Sequence, residues 1–147
     1  MDAEEIVDLL NRARAEELAC IRLYAQNVRQ LEEMANGFLA RLFREQMAEE
    51  LMHARWLAAR IRVLGGIPTD QPAAWCRKRL SARGTSRLRR ILQEAAALEQ
   101  RELRQYEQGI LECALGGDWE TKTLLEQIVD SEQAHQNQWL GLLARRD

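Results

Sequence analysis

The stretch Glu49–Thr69, EELMHARWLAARIRVLGGIPT, decides the fold. Its apolar residues Leu57, Ile61 and Leu64 recur at the period of a helix that turns one face to a core. Gly65 and Gly66 then supply a C-terminal cap, and Pro68 forbids continuation. Counting back from Leu57 along the same face, the next residues are His53 and Glu50. Helix cores seldom hold a carboxylate and an imidazole together, because desolvating either costs free energy unless something compensates.

Upstream, Phe38, Leu42 and Phe43 carry this run back to a turn signal at Asn36-Gly37. Before that turn, Ile6, Leu9, Leu10, Ala13, Glu17, Cys20, Ile21, Tyr24, Val28 and Leu31 form another helical stripe. Asp2, with Glu5 three residues later, opens it as a capping box. Downstream, residues 67 to about 85 read as a long irregular connection containing Pro68, Pro72, Trp75 and Gly84. A third run, from Leu88 through Leu92, Leu98, Glu99, Glu102 and Tyr106 to Ile110, ends at Gly116-Gly117. A fourth starts around Asp118 and carries Leu124, Leu125, Ile128, Val129, Glu132, His135, Trp139 and Leu142. Short turns force antiparallel neighbours, whereas the long connection can run the length of a bundle. The expectation is an all-α four-helix bundle, two antiparallel hairpins joined by a long crossover, in one domain over 1–147.

Composition agrees. Ala, Leu, Glu, Arg and Gln, the strong helix formers, dominate the 147 residues. With 21 basic and 23 acidic side chains, the formal net charge of −2 gives no nucleic-acid footprint. The basic run Cys76–Arg90 is read as a solvated connection or a subunit contact. No apolar segment approaches the roughly 20 residues that span a bilayer. The acidic start MDAEEIVDLL lacks a signal peptide's basic and apolar regions, so a cytoplasmic protein without a membrane partner is expected. Cys20, Cys76 and Cys113 form no CxxC, which argues against a disulfide framework or a thiolate zinc site. Cys20 reads first as a small buried apolar residue, with redox participation as the alternative.

Each hairpin repeats one pattern: a Glu on its first helix, then Glu-x-x-His on its second. Glu17 pairs with Glu50 and His53, and Glu99 with Glu132 and His135. The separation from the first Glu to the second is 33 residues in both hairpins, and the chain's only 2 histidines fall in these motifs. Residues equidistant from a hairpin turn lie at one depth, so all six groups can converge on one level of the interior. Four carboxylates and two imidazoles there would repel and desolvate one another unless cations sat among them. Two divalent metals answer this, each taking a terminal Glu and a His while the Glu of each Glu-x-x-His bridges. Oxygen donors with one imidazole per metal suit iron or manganese, including mixed pairs.

These residues resemble the ferritin-like superfamily over all four helices, and bacterioferritin most. In EELACIRLY a Glu, Glu17, is followed seven residues later by Tyr24, as in bacterioferritins; EELMHARWLAARIRVLGGIPT and DSEQAHQNQWL resemble their second- and fourth-helix motifs. The resemblance implies Glu17, Glu50 and His53 at one iron and Glu99, Glu132 and His135 at the other, with Glu50 and Glu132 bridging. It implies Tyr24 beside the centre as an electron donor, an ordinary core Tyr being the alternative. The implied function is ferroxidase: oxidation of Fe(II) by O2 or H2O2, for iron storage or detoxification, in a homo-oligomer that is a dimer or a larger shell.

The chain departs from that family at three points. Haem-binding bacterioferritins carry Met directly after the second-helix Glu; here Leu51 takes that place and Met52 lies about 100° further round, so no haem is expected. Twelve residues follow His135, too few for the short fifth helix of 24-subunit cages. The connection between helices two and three is somewhat longer than in the family. The segment LFREQMAEELMHA also resembles rubrerythrins, which place an extra carboxylate where Glu102 stands. Glu102 is expected near the site or on the surface, with ligation open. The alternative functions are therefore a di-iron peroxidase or small-substrate oxidase or hydroxylase without a shell, and a non-catalytic helical interaction protein. Trp56 and Trp139, each about a turn from a histidine, either screen the site or pack against a partner subunit.

Overall fold

The computed structural model describes residues 1–75 and 86–145. It contains four helices, α1 (Ala3–Glu33), α2 (Gly37–Val63), α3 (Arg87–Gly116) and α4 (Trp119–Ala144). α1 packs closely on α2 and α3 on α4, while α1 and α3, and α2 and α4, approach less closely. The two expected hairpins therefore face each other across a wider seam.

Local chemistry sets the helix ends. The Asp2 carboxylate accepts from the Glu5 amide while the Glu5 carboxylate accepts from the Asp2 amide, both at 2.8 Å, completing the capping box. Asn36, Ser86 and Asp118 cap the other three helices by accepting from Leu39, Arg89 and Thr121 amides. At the exit of α2, Gly65 adopts φ 84°, a left-handed conformation that costs an L-residue about 1–2 kcal/mol. Gly66 serves a different need: a Cβ there would lie 2.5 Å from Val7 Cγ1, so α1 leaves no room for one. The first turn departs from expectation. Phe38, expected on the inward stripe, is exposed while Leu39, Ala40 and Phe43 take the inward face, and the turn's left-handed residue is Ala35, φ 55°.

The visible part of the crossover is fastened along α1. Asn11 donates to Ile67 O and accepts from Thr69 N; Arg14 donates to the Thr69 and Ala54 carbonyls; Ala73 N donates to Ala15 O. Arg101 on α3 reaches both Ala74 O and Glu16, with its guanidinium over the Trp75 ring. Most of the basic run, residues 76–85, lies outside the described residues. Among those described, no helix is long and apolar enough to cross a membrane.

The apolar core is split in two. One cluster, around Leu31, Leu39, Phe43, Leu92 and Trp139, fills one end of the bundle. The other, around Leu10, Leu57, Ile61, Cys113 and Leu125, fills the opposite end. Between them lies a layer of buried Glu and His. Each fully buried Leu contributes about 1.5–3 kcal/mol, while each desolvated charge costs several. The apolar ends therefore hold together a middle that would by itself drive the helices apart.

Candidate metal centre

The 3.6-residue period that builds each stripe also aims the polar layer. Three-residue steps keep Glu50 and His53, and Glu132 and His135, on the inward faces of α2 and α4. α1 contributes Glu17 and α3 contributes Glu99. All six expected side chains are buried, and all but the two histidines are fully so. They come together as two groups. Glu17, Glu50, His53 and Glu132 form one; Glu50, Glu99, Glu132 and His135 form the other, with one ligand atom from each member within 4.8 Å of the rest. Glu50 and Glu132 belong to both.

The imidazoles face the shared carboxylates. His53 Nδ1 is 2.9 Å from Glu132 Oε1, 3.6 Å from Glu17 Oε1 and 4.0 Å from Glu50 Oε2. His135 Nδ1 is 2.8 Å from Glu50 Oε1, 3.6 Å from Glu99 Oε1 and 3.8 Å from Glu132 Oε2. The other ring nitrogen of His135 meets Glu49, whose half-exposed carboxylate lies at the mouth of the layer. That contact holds Nδ1 toward the interior.

Two tyrosines close the layer. Tyr24 donates to Glu99 Oε1 at 2.5 Å and accepts from Trp139 Nε1 at 3.0 Å. Tyr106 donates to Glu17 Oε1. Tyr24 is also walled by Phe43, edge-to-face at 5.0 Å, which stacks on Trp139 at 4.2 Å. Trp139 thus packs inside its own chain, against the expectation of a partner subunit. Trp56 is 38% exposed, with its ring 5.7 Å from that of His53.

Electrostatics follow from crowding. Burial first, then neighbouring carboxylates, push Glu50 and Glu102 above the usual range; burial and Glu132 do the same for Glu17 and Glu99. Glu132 is the exception: burial opposes its charge, but hydrogen bonds from Glu99, His135, His53 and Glu50 carry it well down. Burial also opposes charge on the imidazoles, yet carboxylate contacts prevail, lifting His53 to about 9 and His135 to about 11. Without metal, the layer thus holds protons more readily than ordinary carboxylates do, except at Glu132.

Much of the layer is left without partners. Glu17 Oε2, Glu99 Oε2, Glu132 Oε2 and both oxygens of Glu50 are buried and accept no hydrogen bond. Orphaned carboxylate oxygens converging with imidazole nitrogens are a donor set for cations, so the residues present fit a metal pair.

Two residues of the layer, Tyr106 and Glu49, were not marked as functional from the sequence. Tyr106 carried a legible signal, since it follows Glu99 by the same seven residues that separate Tyr24 from Glu17. Glu49 carried only its place beside Glu50. Glu102 is fully buried, so its surface reading is excluded, and apart from the Cys20 thiol beside it Glu102 has no hydrogen-bond partner. It joins Cys20 and Glu50 in a third group.

A family model for the ferritin-like domain matches residues 7–146. The bacterioferritin of Desulfovibrio desulfuricans is 33% identical over 131 residues, covering 89% of this chain and 70% of that protein. That of Rhodobacter capsulatus is 30% identical over 131 residues, covering 89% and 78%. The solved Rhodobacter capsulatus bacterioferritin, with a metal-free dinuclear site and a haem iron, superposes with a TM-score of 0.86 at 27% identity, covering 96% of this chain and 84% of the other. The Desulfovibrio desulfuricans bacterioferritin, whose diiron site was captured in different catalytic states, gives 0.87 at 30% identity, covering 97% and 80%.

Proposed function

This chain belongs to the ferritin-like domain family, and from that premise we propose that it is a di-iron carboxylate ferroxidase. Its substrates are Fe(II) and O2 or H2O2, and its service is iron storage or detoxification. The observation that carries this is the sharing of Glu50 and Glu132 between two buried Glu/His groups. Glu17 and His53 would complete one metal position, Glu99 and His135 the other. A bound iron pair supplies electrons to the oxidant two at a time, and carboxylates favour the trivalent product.

The protein's own part is preorganisation. The apolar ends keep water from the layer, so its charges act at low dielectric. Glu49 steadies His135, and the tyrosines hold Glu99 and Glu17 in place. Tyr24, bonded to both Glu99 and Trp139, is the residue placed to give up an electron. The same donor set accepts manganese in place of iron. Leu51 stands where a haem-binding relative has Met, so haem has no part in this reading. Leu51, Met52 and Trp56 are each about two-fifths exposed on α2, which suits burial against a second copy in a homo-oligomer. Free thiols at Cys20 and Cys113 fit the reducing cytoplasm.

A second reading rests on Glu102: the extra buried carboxylate resembles rubrerythrins and favours a di-iron peroxidase or small-substrate oxidase without a shell. One experiment separates them. Anaerobic Fe(II) titration, followed by oxygen or peroxide, is run on protein of measured size. At least two Fe(II) per chain, oxygen-driven oxidation and continued uptake by a large particle support the ferroxidase. Peroxide turnover by a dimer that stores nothing supports the second reading. Absence of iron binding sinks both.

A further inference from the structure

Cys20 and Glu102 stand beside the two metal groups without belonging to either. Cys20 follows Glu17 by one turn of α1, and Glu102 follows Glu99 by one turn of α3. They are equivalent positions of the two hairpins. A ligand atom of each lies within 4.8 Å of the other and of a Glu50 oxygen. All three residues are fully buried, and apart from the Cys20 thiol beside it Glu102 has no hydrogen-bond partner. A carboxylate that served only packing would be hydrated or paired. This one is aimed at a sulfur and at a carboxylate already shared by two groups.

We propose that Cys20, Glu102 and Glu50 form a third cation position, ligated by thiolate, beside the metal pair. The proposal rests on the di-metal reading, because Glu50 serves both. Charge supports it. Two divalent cations neutralise four carboxylates, and Glu17, Glu50, Glu99 and Glu132 are four. Glu102 is a fifth, and with a Cys20 thiolate it supplies the two negative charges that neutralise one more divalent cation. Sulfur in the set selects zinc, cobalt(II) or ferrous iron over magnesium, calcium or manganese. On binding, the Cys20 S–H bond breaks, its proton leaves to solvent and a metal–sulfur bond forms. No electron is transferred.

Anaerobic Co(II) titration of the full chain tests this, because thiolate ligation to cobalt adds a near-ultraviolet charge-transfer band that carboxylates and imidazoles do not give. The expected result is three equivalents per chain, with the sulfur band growing with the third. Cys20→Ala is expected to abolish the band and return the stoichiometry to two, and Glu102→Gln to weaken the third equivalent at least tenfold while sparing the first two. Saturation at two equivalents without the band overturns the third position and leaves the metal pair standing. A sulfur band complete at two equivalents also overturns it, since Cys20 would then belong to the pair. Failure to bind cobalt at all removes this proposal together with the metal centre.

Discussion

Tyr24 and Tyr106 are counterparts: each follows a buried Glu of its own helix by seven residues and donates its hydroxyl to the buried Glu of the opposite helix. Tyr24 reaches Glu99 and Tyr106 reaches Glu17, across the seam between hairpins. The symmetry breaks beyond the hydroxyl, where only Tyr24 accepts from an indole, Trp139. Replacing either by Phe strips a donor from a buried carboxylate, a loss of about 1–3 kcal/mol. Both variants are expected to lower the stability of metal-free protein in denaturant unfolding, Tyr24→Phe by more, because it also leaves the buried Trp139 N–H without its acceptor. Only Tyr24→Phe is expected to remove a tyrosyl radical signal when iron-loaded protein is oxidised and frozen for EPR. An undiminished radical in that variant would take the electron-donor role from Tyr24.

Glu50 separates stability from function most sharply. Glu50 is fully buried, and its contact with His135 Nδ1 at 2.8 Å is opposed in metal-free protein by desolvation and by the like charges of Glu17, Glu132 and Glu99. Glu50→Gln, which keeps its shape without the charge, is expected to leave metal-free stability unchanged or raise it by about 1 kcal/mol. Because the residue belongs to both groups, the same variant is expected to lose both metals. Thermal unfolding beside metal analysis checks the pair of outcomes; retention of two metals would show that Glu50 does not bridge.

The bundle and its polar layer were legible in the sequence for one reason: both are periodic. Glu17 and Glu99 stand 33 residues before Glu50 and Glu132, and the turns between them fix a common depth. What stayed hidden depends on reach between helices. The meeting of Glu102 with Cys20 depends on how closely α1 approaches α3, which no single-helix pattern encodes. The Asn11 and Arg14 clasps on the crossover pair a helix with irregular chain and have no period. Ala35 takes the left-handed conformation where the bond from Asn36 N to Leu31 O closes α1.

Protonation gives metal-free protein an unusual pH profile. Glu17, Glu50, Glu99 and Glu102 lie above their ordinary values, so the folded state binds more protons than the unfolded from about pH 5 upward. His53 and His135, raised to about 9 and about 11, contribute stability that is fully present below the usual imidazole value. That contribution is lost as pH rises through those two values. All these groups act in one direction, so the Tm of metal-free protein is expected to fall steadily between about pH 5.5 and 9. Metal binding displaces the same protons and strengthens as pH rises, so the Tm gained on loading should widen over that range. A metal-free Tm that rises with pH would contradict the layer's raised hold on protons.

The exit of α2 tests packing independently of metal. A Cβ at Gly66 meets Val7 Cγ1 at 2.5 Å and Cγ2 at 2.9 Å, and Val7 is β-branched and stiff at χ1. Gly66→Ala is therefore expected to cost about 1–3 kcal/mol. Val7→Ala in the same chain should recover part of that loss, giving a coupling of at least about 0.5 kcal/mol in a double-mutant cycle. Additive losses would mean that α1 and the turn adjust without contact.

Glu49 offers the last test, because its exposure makes it removable without disturbing the core. Its carboxylate meets the outer ring nitrogen of His135, while the inner one faces Glu50, Glu99 and Glu132. A carboxylate behind an imidazole fixes the ring and raises its basicity as a ligand, and losing it costs about 10- to 100-fold in metal affinity. Glu49→Ala should therefore weaken the metal held by His135 by that factor and leave the one held by His53 nearly unchanged. Stepwise competition against a chelator reads the two affinities separately. Equal weakening at both positions would mean that Glu49 acts on the layer as a whole through its charge, since only a partner of the His135 ring can loosen one metal and spare the other.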